Sequence, residues 1–580
     1  MLDPSRQSLT SPVVDALVAT GIEAQRAGDP DAAEKAFREV LAADPTEPRA
    51  VRYLGAILAE RGAIDAALEC FEAALERVGS PSAATLGFYN NYANALRRAE
   101  QYSAAEKVLV ELVSIARSAW QPWHNLGQTL REVDRLDEAE AAMRHAVTLE
   151  PGFGPNHGVL GEILFRLGQL EDAEAALQHC VDLGWQADPS TWATIGASRR
   201  LLGRPDEARE ALERAFQLSG PTPTAHSNLG LVLNDLGRFD EAIAQVDAAV
   251  DIDPDDDTMH THRGFVLLSA GRVSDGWEEW EHGLLEGFRG KERGLEVPRW
   301  TPDDADARVL VYREQGIGDE LMFSSCYPDV IAAAREVVIE CDPRLSALFG
   351  RSFPEAEVRA VSVDALGNET RHDFDRAIPA GSLPRFFRST IDEFPDRRVI
   401  LRAQADRVAE WHERLRAAGP PPYVGFAWRS GVITAERRRE YTRLETWGEI
   451  FAVPNVTWVS LQYDECEPEL RDAERRFGVR MHRWPFLDLM NDLDEVAALT
   501  STLDLVVSAR SAVAMLSGGL GVDTITLANR YAWADLGTAR LPWLPAVRMM
   551  YRQPVGDWTP VLSATARAID ELANRTPSPD

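Results

Sequence analysis

The residues best suited to chemistry in this chain stand where a short apolar run stops and a polar, glycine-containing loop begins. RVLVYR (308–313) runs into Glu314-Gln315-Gly316-Ile317-Gly318-Asp319-Glu320-Leu321-Met322-Phe323. Gly316 and Gly318 permit close approach of a ligand to the backbone, and Asp319 falls at a helix start, where an N-cap role also fits. A second loop, Gly425-Phe426-Ala427-Trp428-Arg429-Ser430-Gly431, puts Arg429 where it could reach a phosphate. The third, Asp504 to Gly519, reads as strand, turn and helix. The free N–H groups at that helix start, with Ser511 beside them, suit a phosphate or pyrophosphate, although a Ser-capped helix without ligand fits too.

Cation chemistry narrows the choice. The chain has three lysines, Lys35, Lys107 and Lys291, none of them beyond the 291–305 stretch, so a phosphate clamp in the region that follows must use arginine. The candidates are Arg429, Arg437, Arg438, Arg439, Arg443 and Arg510; the triple run 437–439 also fits a solvated loop. Histidines are sparse there (His372, His412, His482), and neither a zinc spacing nor a D-x-D in a suitable loop is present. Asp303-Asp304-Ala305-Asp306 precedes the first strand and reads as connector. No metal is therefore expected, since arginines and a helix terminus can carry leaving-group charge. Without a nucleophile elbow, a hydrolase is disfavoured. Tyr531-Ala532-Trp533 and Pro542-Trp543-Leu544-Pro545 read as packing segments.

The elements that must position these loops alternate. RVLVYR, EVVIEC (336–341), YVGFAW (423–428), TWVSLQ (457–462), DLVVSA (504–509) and TITLA (524–528) are apolar strands separated by amphipathic stretches. That pattern predicts parallel sheets covered on both faces, in two doubly wound lobes with ligands beyond the strands' carboxyl ends.

The first half has a different period. A Leu-Gly-like pair recurs at Leu54-Gly55, Tyr92-Ala93, Leu126-Gly127, Leu160-Gly161, Ile195-Gly196, Leu229-Gly230 and Arg263-Gly264, in steps of 38, 34, 34, 35, 34 and 34 residues. Thirty-four is the tetratricopeptide period, and it predicts an α-solenoid of about eight helix pairs. Glycines 28, 62, 168, 203, 237 and 271 mark the turns. Asn91, Asn125 and Asn228 precede the pair in three units and could grip a peptide backbone in a groove, or cap or face solvent instead. Trp120 and Trp123 read as packing between repeats.

The expected organisation is a flexible 1–11, a solenoid 12–290, a connector 291–305, a first lobe 306–400, an inter-lobe helix 401–419, a second lobe 420–565 and a tail 566–580. A net charge of −31 opposes nucleic-acid binding. No 18-residue apolar run or signal-peptide pattern is present, and the five cysteines are scattered. A cytoplasmic protein without a membrane span is expected.

YREQGIGDELMFSSCYPDV resembles the start of the glycosyltransferase region of bacterial tetratricopeptide-repeat proteins, related to heptosyltransferases of the GT-B fold. Gly276-Trp277-Glu278-Glu279-Trp280, Pro298-Arg299-Trp300, Ser382-Leu383-Pro384, Ser460-Leu461-Gln462 and Arg552-Gln553 extend the resemblance along the chain. It implies a GT-B pair of lobes, an inverting and metal-independent transferase, and Asp319 as general base toward an acceptor hydroxyl. A nucleotide sugar would be co-substrate, with no cofactor. Its donor site would comprise Arg429, Ser430, Gly431, Arg439, Gln462, Ser508, Arg510 and Ser511 beside the Gly316/Gly318 loop. The family usually has Asp-Thr and a later His where this chain has Arg510-Ser511 and Met515. That exchange alters local charge by two units and suggests a donor with another anionic group, such as a CMP-nonulosonic acid. Flagellin glycosyltransferases share the layout, so the acceptor protein held by the repeats would be flagellin. The alternative is a non-catalytic scaffold with a degenerate transferase-like domain.

Overall fold

The computed structural model describes residues 11–185, 188–285, 288–289, 293–361, 373–431, 441–528, 532–552 and 557–575. Arg437, Arg438, Arg439, Tyr531 and Gln553 lie outside them. Among the described residues, helices come in pairs from Ser11–Arg26 with Pro30–Ala43 to Asp257–Ser269 with Val273–Trp280, eight pairs in all. The small residue of each period explains the pairing. A Cβ added at Gly55 would lie 2.5 Å from the Phe71 ring, and one at Gly161 would lie 2.5 Å from Leu177 Cγ. Gly127 with Met143 and Gly230 with Val246 repeat the contact at the same sequence spacing. The turn inside each pair needs a left-handed residue. Gly168 supplies it at φ 73°, whereas Glu100 and Asp134 adopt it at φ 60° despite their side chains.

The chain forms two compact units, 1–198 and 199–580, divided within helix Pro189–Leu201 rather than at 290. The first unit is repeats alone, cored by Phe37, Leu54, Phe71, Leu109, Met143 and Ile163. In the second, the last repeats share a core with the sheets: Trp280 packs 4.3 Å from Trp533, and Trp277 5.7 Å from Trp543. Sequence period and packing boundary differ: Trp277 and Trp280 of the last helix pair belong to the core of the sheets, while Trp280 also packs on Phe265 of its own repeat.

The second unit carries two all-parallel sheets. The first contains β1 (Arg308–Tyr312), β2 (Glu336–Cys341), β3 (Glu357–Ala360) and β4 (Arg376–Pro379) in the order β3-β2-β1-β4. The second contains β5 (Tyr423–Ala427), β6 (Thr457–Ser460), β7 (Met481–His482), β8 (Leu505–Ala509), β9 (Thr524–Ala528) and β10 (Val547–Tyr551). Its order is β7-β6-β5-β8-β9-β10, the doubly wound 3-2-1-4-5-6 arrangement. Strand order therefore reverses beside β1 in one sheet and between β5 and β8 in the other. The loops after those strands open into the crevices.

Two boundaries need correction. The 566–580 tail is helical through Ala573, because helix Thr559–Ala573 buries Val561, Leu562, Ala566 and Ile569 against the second sheet. The 291–305 connector is partly built into the fold: Trp300 is buried, and its backbone N–H donates to Ala377 O at 3.0 Å. No helix among the described residues is long and apolar enough to cross a membrane.

Candidate functional site

A cavity of about 480 Å³ lies where the β1, β5 and β8 loops converge. Gly316, Ile317, Gly318 and Asp319 line one side; Ser430, Arg510, Ser511 and Ala512 line the other. The approach is close: a Cβ on Gly318 would lie 3.9 Å from Ala512 N, at the start of helix Ala512–Gly519. Asp319 is the third residue of helix Ile317–Phe323, and its Oδ2 accepts a hydrogen bond from Gly316 N at 3.2 Å. The N-cap is thus Gly316 and not Asp319, whose side chain reaches back to the N-cap N–H while the residue lines the cavity. Tyr441 and Tyr463 also line the cavity; Tyr463 OH lies 3.4 Å from Ser430 Oγ and accepts from Gly431 N at 2.9 Å. The rest of the lining is mainly apolar, including Leu489, Leu493, Val496, Met515, Leu516 and Trp533.

Other expected donor residues are not brought there. Arg429 is corrected first: its guanidinium pairs with Asp464 at 2.7 Å and with Glu469, and stacks on Trp428. These carboxylates outweigh burial and raise its pKa, and Arg429 does not line the cavity. Gln462 is buried and braces the same loop. Its Oε1 accepts from Trp428 N and Arg429 N, and its Nε2 donates to Arg429 O and Asp464. Ser508 is fully buried; its hydroxyl bonds to Ala509 O and Ser511 Oγ. Gly431 lies beside the wall without lining it, because the Tyr463 ring fills the space in front. Arg443 is solvent-exposed and outside the lining.

Arg510 has a partner that the sequence pattern did not expose. Both Nη atoms donate to Asp535, one to each carboxylate oxygen, at 2.9 Å. Asp535 is fully buried and also accepts from Ala532 N at 3.0 Å. Asp535, 25 residues downstream, therefore offsets one of the two charge units inferred from Arg510 alone. A lone Asp following an aromatic run carries no sequence signal for that role. Glu320 was also missed; it lies behind the loop, fully buried, and burial pushes its pKa up to about 7 against the pull of Arg313.

In the repeats, Asn91 donates to Arg52 O at 3.3 Å, and Asn125 to Asn90 Oδ1 at 3.0 Å. Both tie neighbouring repeats together, and Asn125 is buried, so peptide gripping by these amides is corrected to inter-repeat bonding. Asn228 is half-buried. Trp120 packs on Phe153 and Trp123 on His145, as packing residues should. Among the described residues, His260, Glu279 and His282 form one group of possible metal ligands. The two imidazoles stack at 4.1 Å and 12°, so their in-plane lone pairs run side by side instead of converging.

Helix-pair period, glycine-to-side-chain contacts and turn geometry make this chain a tetratricopeptide-repeat protein, with two parallel α/β sheets following the repeats. A family model described as the cilia and flagella-associated protein 70 C-terminal domain matches residues 11–264. Protein FlbA of Caulobacter vibrioides is 33% identical over 318 residues, which is 52% of this chain and 53% of FlbA. The match thus spans about half the length of that curated relative. Among solved structures, the APC/C hetero-tetramer Cut9–Hcn1 is 18% identical, with a TM-score of 0.37, covering 48% of this chain and 53% of that one. A tetratricopeptide repeat protein from Parabacteroides merdae is 14% identical, with a TM-score of 0.33, covering 44% and 98%.

Proposed function

We propose that the chain is a protein O-glycosyltransferase of GT-B architecture. In this reading the repeats hold an acceptor protein, flagellin by resemblance, and the cavity transfers a sugar from a nucleotide donor. The observation that carries it is the meeting of the Gly316–Asp319 loop with the start of helix Ala512–Gly519 at the switch points of both sheets. Asp319 would take the proton of an acceptor hydroxyl as its oxygen attacks the anomeric carbon. The glycosidic bond to phosphate breaks on the opposite face, giving inversion. The helix N–H groups, Ser511 and Arg510 would receive the phosphate charge, with no resident cofactor or metal. A CMP-nonulosonic acid is the donor proposed, with its carboxylate near the Arg510–Asp535 pair.

The test is intact mass of flagellin after incubation with the purified chain and CMP-nonulosonic acid, UDP-hexose or ADP-heptose in turn. One added sugar mass, abolished by Asp319→Asn, is the expected result. No added mass with any donor would sink the enzyme reading. It would then favour a non-catalytic tetratricopeptide scaffold. One observation supports that second reading: Arg429, the expected phosphate ligand, is held outside the cavity by two carboxylates.

A further inference from the structure

Two residues that the mechanism above does not use hold the candidate catalytic loop at its base. Arg289 follows the last repeat, and its side chain is fully buried. Its Nη2 lies 2.9 and 2.8 Å from the two Glu314 oxygens and donates to Ser382 Oγ at 3.0 Å. Its Nη1 donates to Trp280 O at 3.2 Å and Glu281 Oε1 at 3.1 Å, with the guanidinium over the Trp280 ring. Glu314 is 3% exposed, and its Oε1 also accepts from Gly381 N at 2.6 Å. One carboxylate thus joins three segments: the exit from the repeats, the end of β1 and the turn after β4.

Such a pair is a poor way to gain stability, because taking both charges out of water offsets most of their attraction. It supplies fixed geometry instead, through charge-assisted bonds on both carboxylate oxygens. That is what this loop needs. Glu314 stands just before Gln315-Gly316-Ile317-Gly318, whose glycines do not hold a conformation by themselves. Space around the pair is already filled: a Cβ on Gly381 would lie 2.1 Å from Glu314 Oε1.

The geometry points to Arg289 and Glu314 as positioning residues that fix the Gly316–Asp319 loop to the segment leaving the last repeat. The consequence for turnover rests on the transferase reading; the consequence for the loop does not. The full chain carries Glu314→Gln, or Arg289→Lys, and hydrogen exchange is followed in peptides spanning 314–323, with 505–519 as reference. Exchange in 314–323 should rise about tenfold in both variants, with the reference unchanged. Flagellin transfer should lose kcat by about 100-fold, with the donor KM little altered, as for a misplaced catalytic group.

Unchanged exchange in 314–323 would overturn the proposal, whether or not transfer occurs. So would loss of protection in both peptides, since the pair would then hold the whole fold. Faster exchange in a chain whose wild type transfers nothing would uphold the clamp while removing the transferase.

Discussion

The repeats and the sheets reach order by opposite routes. In the repeats one contact recurs: Gly55 on Phe71, Gly127 on Met143, Gly161 on Leu177, Gly230 on Val246. In the sheets each decisive contact occurs once and joins residues far apart in the chain, as Arg510 with Asp535 or Gly318 with Ala512. Redundant local contacts make a scaffold in which any one loss is shared among neighbours. Single long-range contacts concentrate consequence, so a cavity residue can be lost with little effect on folding and a large effect on chemistry.

The largest effect that would sharpen this contrast is at Asp319. Asp319→Asn keeps an acceptor for Gly316 N yet removes the base, so transfer should fall roughly 100- to 10,000-fold. The melting temperature should stay within about 2 °C of wild type, given that such a change costs well under 1 kcal/mol of folding. A matching fall in melting temperature would break the contrast, because the loop would then be holding structure. Mass spectrometry of the acceptor and a thermal melt of the same preparation decide it.

The same contrast explains what could be read from the sequence. Periodicity exposes anything that repeats: eight helix pairs were legible, with the turns that carry glycine, whereas Glu100 and Asp134 take the same left-handed place without that signal. Six strands were legible as apolar runs, whereas β3, β4, β7 and β10 were not. β7 has two residues, β3 and β4 have four, and arginine interrupts β3 and β10. The loops after β1, β5 and β8 were placed correctly at the strand ends, because fully apolar strands announce a buried parallel sheet. The direction of the side chains was not. Arg429 turns to Asp464 and Glu469, and Asp535 turns to Arg510, through tertiary pairings with no local signature.

A second test uses acid. Burial holds His124, in the first unit, and His262, in the second, down to about 4, below the ordinary 6.5. The unfolded chain takes up a proton at each site between those values and the folded chain does not, so stability is lost as pH falls from 6.5 toward 4. Each site should contribute about 2–3 kcal/mol to that loss. Both lie in repeats, so helical signal should fall along this window, and His124→Gln should flatten the pH dependence of urea unfolding. An unaltered slope in that variant would place the acid sensitivity elsewhere.

The smaller effects probe redundancy itself. Gly161→Ala forces a Cβ to within 2.5 Å of Leu177 Cγ and 3.1 Å of Ala173 O. Overpacking of this kind costs about 1–3 kcal/mol, read as a shift in the urea midpoint. Asn125→Ala removes a bond to Asn90 between neighbouring repeats and should cost about 1 kcal/mol. The two should differ in reach. The glycine lies inside one helix pair, so its cost should appear in exchange of that repeat; the asparagine joins two, so both should loosen slightly. If Asn125→Ala instead leaves stability unchanged and weakens flagellin capture, the amide serves the partner, and the repeats too would hold a contact used once.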